Sequence, residues 1–93
     1  MASRKNLKKD IDYLVFELLA ECYGCIYESP DIDLSRFEGV INDTIELKED
    51  LLSRISQFDN SSEGNARSFF KKIRIDLLVG LNAGYEKLQK VSE

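Results

Sequence analysis

Apolar side chains return every three or four residues through three long stretches of this chain, and two polar interruptions divide them, Ser29-Pro30-Asp31 and residues 59–65. That period is the repeat of an α-helix burying one face. In the first stretch Leu7, Ile11, Leu14, Val15, Leu18, Cys22, Cys25 and Ile26 fall within one arc, with Leu19 at its edge, and predict a helix over about 4–28. Pro30 ends it, because proline disfavours helical geometry at the residue before it and has no amide to donate. In the second, Leu34, Phe37, Val40, Ile41, Thr44, Ile45, Leu47, Leu51, Leu52, Ile55 and Phe58 share a broad face opposite a polar one, predicting a helix over about 33–57. Asp33 is placed to cap it, with Ile32 and Phe37 as a hydrophobic staple; Ser35 with Glu38 is a competing capping box. In the third, Ala66, Phe69, Phe70, Ile73, Leu77, Leu81, Leu88 and Val91 predict a helix over about 65–91, capped by Asn65 or Ser62.

Helices of this length extend roughly 38–40 Å, and short links between equal helices make antiparallel neighbours. The expected fold is therefore all-α, an antiparallel up-down-up three-helix bundle. Gly80 and Gly84 lie on the apolar face of the third helix, where each costs roughly 1 kcal/mol relative to alanine. They imply a close approach between helices or, failing that, a kink. A chain of 93 residues has room for one core, so residues 1–93 are read as a single domain. Its mass scales to roughly 5,500 Å² of folded surface, about a third of what the extended chain exposes. Hydrophobic content of 43% against a net charge of only −4 excludes global disorder.

The first ten residues carry four cations, but Asp10, Asp12 and Glu17 interrupt the adjoining stretch before any apolar run of signal-peptide length. The longest such run, Tyr13-Leu14-Val15-Phe16, is far short of the ~18 residues needed to cross a bilayer. A cytoplasmic protein with Cys22 and Cys25 as free thiols is expected, with no membrane partner. Charge is uneven along the chain, 0 over residues 1–27, −7 over 28–63 and +3 over 64–93. Complementary flanks within one bundle account for that division.

Two of the helices carry more apolar surface than a three-helix bundle can bury. On the first, Phe16, Ala20, Tyr23 and Tyr27 recur at spacings of four, three and four on the side away from the core arc, with Tyr13 beside them. On the third, Ile75 and Val79 lie on the outer face, with Leu78 between the two stripes. An aligned aromatic row marks an interface, since each ring buries much area with few torsions. The expected function is accordingly a non-enzymatic protein–protein interaction module. Its expected partner is a second copy, forming a homodimer, or another helical protein. A broader internal core with tyrosine hydroxyls at its rim is the competing reading.

Chemistry is sparse. With no histidine, the commonest general base and metal ligand are absent. Cys22-Tyr23-Gly24-Cys25 has the spacing of a redox or zinc half-motif, yet it lacks a βαβ context, and zinc would need two further ligands that only a dimer sharing both pairs could supply. Two small side chains facing the core are the simpler account. Asp43, Glu46, Glu49 and Asp50 read as a solvated face, because carboxylate metal bundles aim their ligands inward and add histidine. Glu17 and Glu21 border the core arc and are expected in boundary salt bridges. Arg67, Lys71, Lys72 and Arg74 form a weak basic patch, the basis of an alternative in which a small regulatory protein contacts nucleic acid or an acidic partner. No recognition-helix pattern accompanies it, so nucleic acid is not the expected partner. No phosphate loop, nucleophile elbow or nucleotide fingerprint occurs, and no enzyme activity, cofactor, metal or small-molecule ligand is expected.

The strings Leu7-Lys8-Lys9-Asp10-Ile11-Asp12-Tyr13, Glu17-Leu18, Glu21-Cys22, Ser53-Arg54-Ile55-Ser56 and Phe69-Phe70-Lys71-Lys72-Ile73 together resemble a family of small, uncharacterised all-helical proteins of Bacteroidetes-type bacteria. The resemblance spans most of the chain and implies an all-α bundle in a bacterial cytoplasm. It brings no established activity, so it assigns no site residue.

Overall fold

The computed structural model describes residues 4–29, 31–58 and 66–92. Three helices, α1 (Arg4–Glu28), α2 (Ser35–Gln57) and α3 (Ala66–Ser92), each pack against the other two, so the chain is an all-α three-helix bundle. α1 has the bounds its periodicity predicts, α2 starts two residues later than expected, and α3 is shifted by one residue at each end.

Contacts between the helices set their directions. Asp10 meets Arg74 at 3.1 Å, and farther along both helices Leu18 lies against Gly84, so α1 and α3 run the same way. Arg54 pairs with Asp76 and Asp43 with Lys87, while Asp12 pairs with Lys48 and Arg4 sits over the Phe58 ring, so α2 runs opposite to both. The result is a rod of 53 × 18 × 17 Å exposing 6488 Å². That is about a thousand Å² more than its mass alone predicts, because a rod has more surface per volume than a sphere.

The start of α2 is decided between its two candidate caps. Asp33 Oδ1 accepts hydrogen bonds from the Ser35 amide at 3.0 Å and the Ser35 hydroxyl at 2.8 Å. These bonds hold the Asp33 carboxyl below its ordinary range. Leu34 is already right-handed, so Asp33 does the capping and the Ser35–Glu38 box does not form. Ile32 donates its amide to the Ser29 carbonyl at 2.9 Å, which turns the chain between α1 and α2. Ile32 is half-buried and packs against the core cluster. The caps expected from Asn65 or Ser62 lie outside the described residues.

The core holds Leu7, Ile11, Val15, Leu18 and Cys22 from α1, Phe37, Val40, Leu51 and Ile55 from α2, and Ile73, Leu77, Leu81 and Leu88 from α3. Thr44 is buried among them and donates its hydroxyl to the Val40 carbonyl at 2.7 Å. Leu34 and Ile45, expected on the buried face of α2, are exposed. Two neighbouring helices cover a narrower arc than the eleven apolar positions of that stretch span, and these two fall beyond its edge. Where α2 ends and α3 begins, Phe58 stacks on Phe69 with centroids 4.2 Å apart, and Phe70 meets Phe69 edge-on at 5.5 Å.

α3 runs unbroken through Gly80 and Gly84. A methyl group at Gly80 would lie 2.6 and 2.7 Å from the two Leu47 methyls, and one at Gly84 would lie 2.6 Å from a Leu18 methyl. Close approach is therefore their role. Leu18 is fully buried and has nowhere to move, so Gly84→Ala should lose about 1 kcal/mol in urea unfolding. Overpacking costs roughly 1–3 kcal/mol and outweighs the ~1 kcal/mol that alanine gains in helix propensity. At Gly39 an added methyl meets nothing, and Gly39→Ala should instead gain about 0.5–1 kcal/mol.

Candidate interaction surface

α1 meets both neighbours through one face and leaves the other uncovered. On that outer face Tyr13 is 62% exposed, Phe16 67%, Tyr23 56% and Tyr27 90%, with Ala20 exposed among them. Their spacings of three, four, three and four are those of a heptad seam, and the row runs about 21 Å along the helix. The rings lie outside the core, not at its rim. On α3, Ile75, Leu78 and Val79 are exposed. The Asp10–Arg74 and Leu18–Gly84 contacts place these three level with the Tyr13 end of the row. Leu78, between stripes in the sequence, belongs to the outer surface. The Tyr13 hydroxyl is hydrogen-bonded to Glu17, and that bond and the carboxylate's charge push the phenol up from its ordinary range.

Beside the row, α1 and α2 enclose an open cleft of about 510 Å³ lined by Lys9, Asp12, Tyr13, Phe16, Leu19 and Lys48, with Val15 at its floor. Lys48 reaches Asp12 across it at 3.4 Å. The sequence pattern names Tyr13 and Phe16 but not the cleft, since only the pairing of α1 with α2 brings Lys48 there. A smaller gap of about 210 Å³ lies between α2 and α3 over Gly80 and Gly84, and the Asp43–Lys87 pair sits at its edge.

The other candidates are drawn into the bundle's own electrostatics. Of the basic patch, Arg74 is bound to Asp10 and Lys72 to Asp76 at 3.0 Å, while Arg67 and Lys71 are exposed. Of the α2 acids, Asp43 pairs with Lys87 and Asp50 with Arg54, and Glu46 and Glu49 are exposed. Among the described residues no group of three His, Cys, Asp or Glu side chains could hold a metal ion. Glu17 and Glu21, expected in boundary salt bridges, are exposed, and no ion pair among the described residues includes them. Burial raises the Tyr85 phenol, and the charges of Glu21 and Glu17 add to it.

Cys22 is buried and Cys25 half-buried, both as free thiols. Burial pushes the Cys22 thiol up, and the neighbouring Cys25 and Glu21 push it the same way. A redox motif needs a thiolate favoured by its surroundings, and Cys22 has the reverse. Its position inside the bundle also faces away from the outer row, so copies meeting along that row would not bring their cysteine pairs together. No helix among the described residues is long and apolar enough to cross a membrane. No protein-family model, curated protein or solved structure matches the chain.

These environments are open to two measurements. Near neutral pH a colourimetric thiol reagent should titrate Cys25 readily and reach Cys22 only when urea opens the core. Rapid reaction of both thiols in the folded protein would contradict the burial of Cys22. The Asp76 carboxyl is held below its ordinary range by hydrogen bonds from Arg54 and Lys72. A lowered folded-state pKa contributes stability that is present above the unfolded value of about 3.9 and is lost as pH falls through the folded one. The urea midpoint should therefore drop below about pH 4, and less steeply in Asp76→Asn than in the parent.

Proposed function

We propose that the chain is a non-enzymatic protein–protein interaction module that self-associates as a homodimer through the outer row of α1, extended at one end by Ile75, Leu78 and Val79 of α3. A bacterial cytoplasm is the setting this reading assumes. The observation that carries it is the exposed aromatic row: four rings at heptad spacing, each more than half exposed, along a helix whose other face already fills the core. Scattered surface apolars need no explanation, whereas a contiguous aromatic seam loses free energy to water unless something covers it. The basic start of α3 supports the nucleic-acid reading less, because two of its four cations are bound to Asp10 and Asp76.

Light scattering on a concentration series tests the proposal, with Tyr23→Glu placing a charge in the middle of the row. The parent should approach twice 10.7 kDa as concentration rises, while the variant stays monomeric with unchanged helical circular dichroism. A parent that remains at 10.7 kDa at the highest concentration sinks the proposal.

A further inference from the structure

We infer that the cleft between α1 and α2 is a binding site for a small monoanionic amphiphile, a medium-chain carboxylate in its simplest form. The site is complete within one chain and needs no second copy. Its volume of about 510 Å³ is that of a ligand pocket, which holds roughly 300–1,000 Å³. Charged and apolar walls follow one another along it. Lys9 and Asp12 come first on α1, and Lys48 joins them from α2, 3.4 Å from Asp12. Phe16 and Leu19 come after, with buried Val15 beneath them. From Tyr13 to Leu19 the apolar part runs about 9 Å at 1.5 Å per residue, the length of an octyl chain. A chain laid there leaves water together with the exposed Phe16 ring and the half-buried Leu19, which is favourable for both surfaces.

Charge selects the head group. Two ammonium groups line the charged end of the cleft against a single carboxylate. Lys9 is exposed, and no ion pair among the described residues includes it. The Asp12–Lys48 contact of 3.4 Å is longer than the ~2.7–2.9 Å of a tight charge-assisted hydrogen bond, so Lys48 too has donors to offer. Asp12 is the one acid among the described residues that lines the cleft. Glu17 holds the Tyr13 hydroxyl and, with Glu21, acts on Tyr85 of α3, the neighbour that takes no part in the cleft. One positive charge is therefore left over where the apolar wall begins. A monoanionic head completes it, a neutral head leaves it as it was, and a cationic head is repelled. Lysine is a point charge on a flexible stem, so the site selects a negative charge on an apolar body and not one planar head group.

Calorimetric titration tests the site with sodium octanoate, octan-1-ol and octylammonium chloride, three probes of one chain length, in about 50 mM salt where exposed charges are weakly screened. Octanoate should saturate at one per chain, octan-1-ol should bind about five-fold or more weakly, and octylammonium more weakly still. Lys9→Gln with Lys48→Gln should bring octanoate down to the affinity of octan-1-ol. Arg67→Gln with Lys71→Gln, the same loss of charge on α3, should leave it unchanged. Phe16→Ser should weaken octanoate and octan-1-ol together. Circular dichroism on each variant confirms that the helices persist. Tyr13 and Phe16 also belong to the outer row, so the titrations are repeated on Tyr23→Glu, which alters the row and leaves the cleft intact. Saturation there is the deciding result, and a failure of the homodimer leaves it standing. Octanoate that does not saturate, that binds no better than octan-1-ol, or that is undiminished by the Lys9 and Lys48 exchange overturns the site. An equal loss in the α3 variant assigns the effect to net charge and overturns it as well.

Discussion

The bundle turns on two leucines entering two gaps in α3. Leu18 from α1 and Leu47 from α2 press where Gly84 and Gly80 carry no side chain, so α3 lies closer to both neighbours than any larger residue would permit. Close packing makes these contacts discrete, since neither leucine can slide along α3 without meeting a Cβ. Axial register follows, and with it the placing of Asp10 beside Arg74, Asp76 beside Arg54 and Asp43 beside Lys87. These pairs are half-buried to exposed and contribute little each, but they agree with the register the core has set. The same lock fixes which face of α1 is turned inward.

Much of this was legible because it depends on local order. A helical period survives in any context that buries one face, so the three helices and the outer row could be read directly from residue spacing. Pro30 and Asp33 act within a few residues of themselves, which is why the break and the cap were visible. The glycines were legible as a pair on an apolar face, although which leucines they admit was not. What escaped were features that exist only between helices. The limit of burial on α2, which leaves Leu34 and Ile45 in water, depends on how far two neighbours wrap around it. The Phe58–Phe69 stack joins residues on either side of a link, and the cleft holding Lys48 needs α1 and α2 together. Glu17 and Glu21 show the same limit in electrostatics: spacing put them at a boundary, but Arg74 was taken up by Asp10 and the group their charges act on is Tyr85.

The interior of the bundle offers few polar groups. Among the described residues the fully buried side chains are apolar apart from Thr44, whose hydroxyl is already bonded to its own helix. Its one fully buried thiol is surrounded by groups that disfavour the thiolate. Among the described residues four ion pairs join one helix to another, while Glu17, Glu21, Glu46 and Glu49 stay exposed outside them. Large rings meet water along the outer row instead.

That exposure explains why α1 differs from its neighbours. α2 divides cleanly between one apolar and one polar side, as a helix in a three-membered bundle should. α1 is apolar on two sides, and its end charges run against its own dipole. Either feature alone would be a modest local disadvantage, a few tenths of a kcal/mol for the charges and somewhat more for the exposed rings. The exposed rings are the larger of the two, and only a partner that covers the outer row would relieve them.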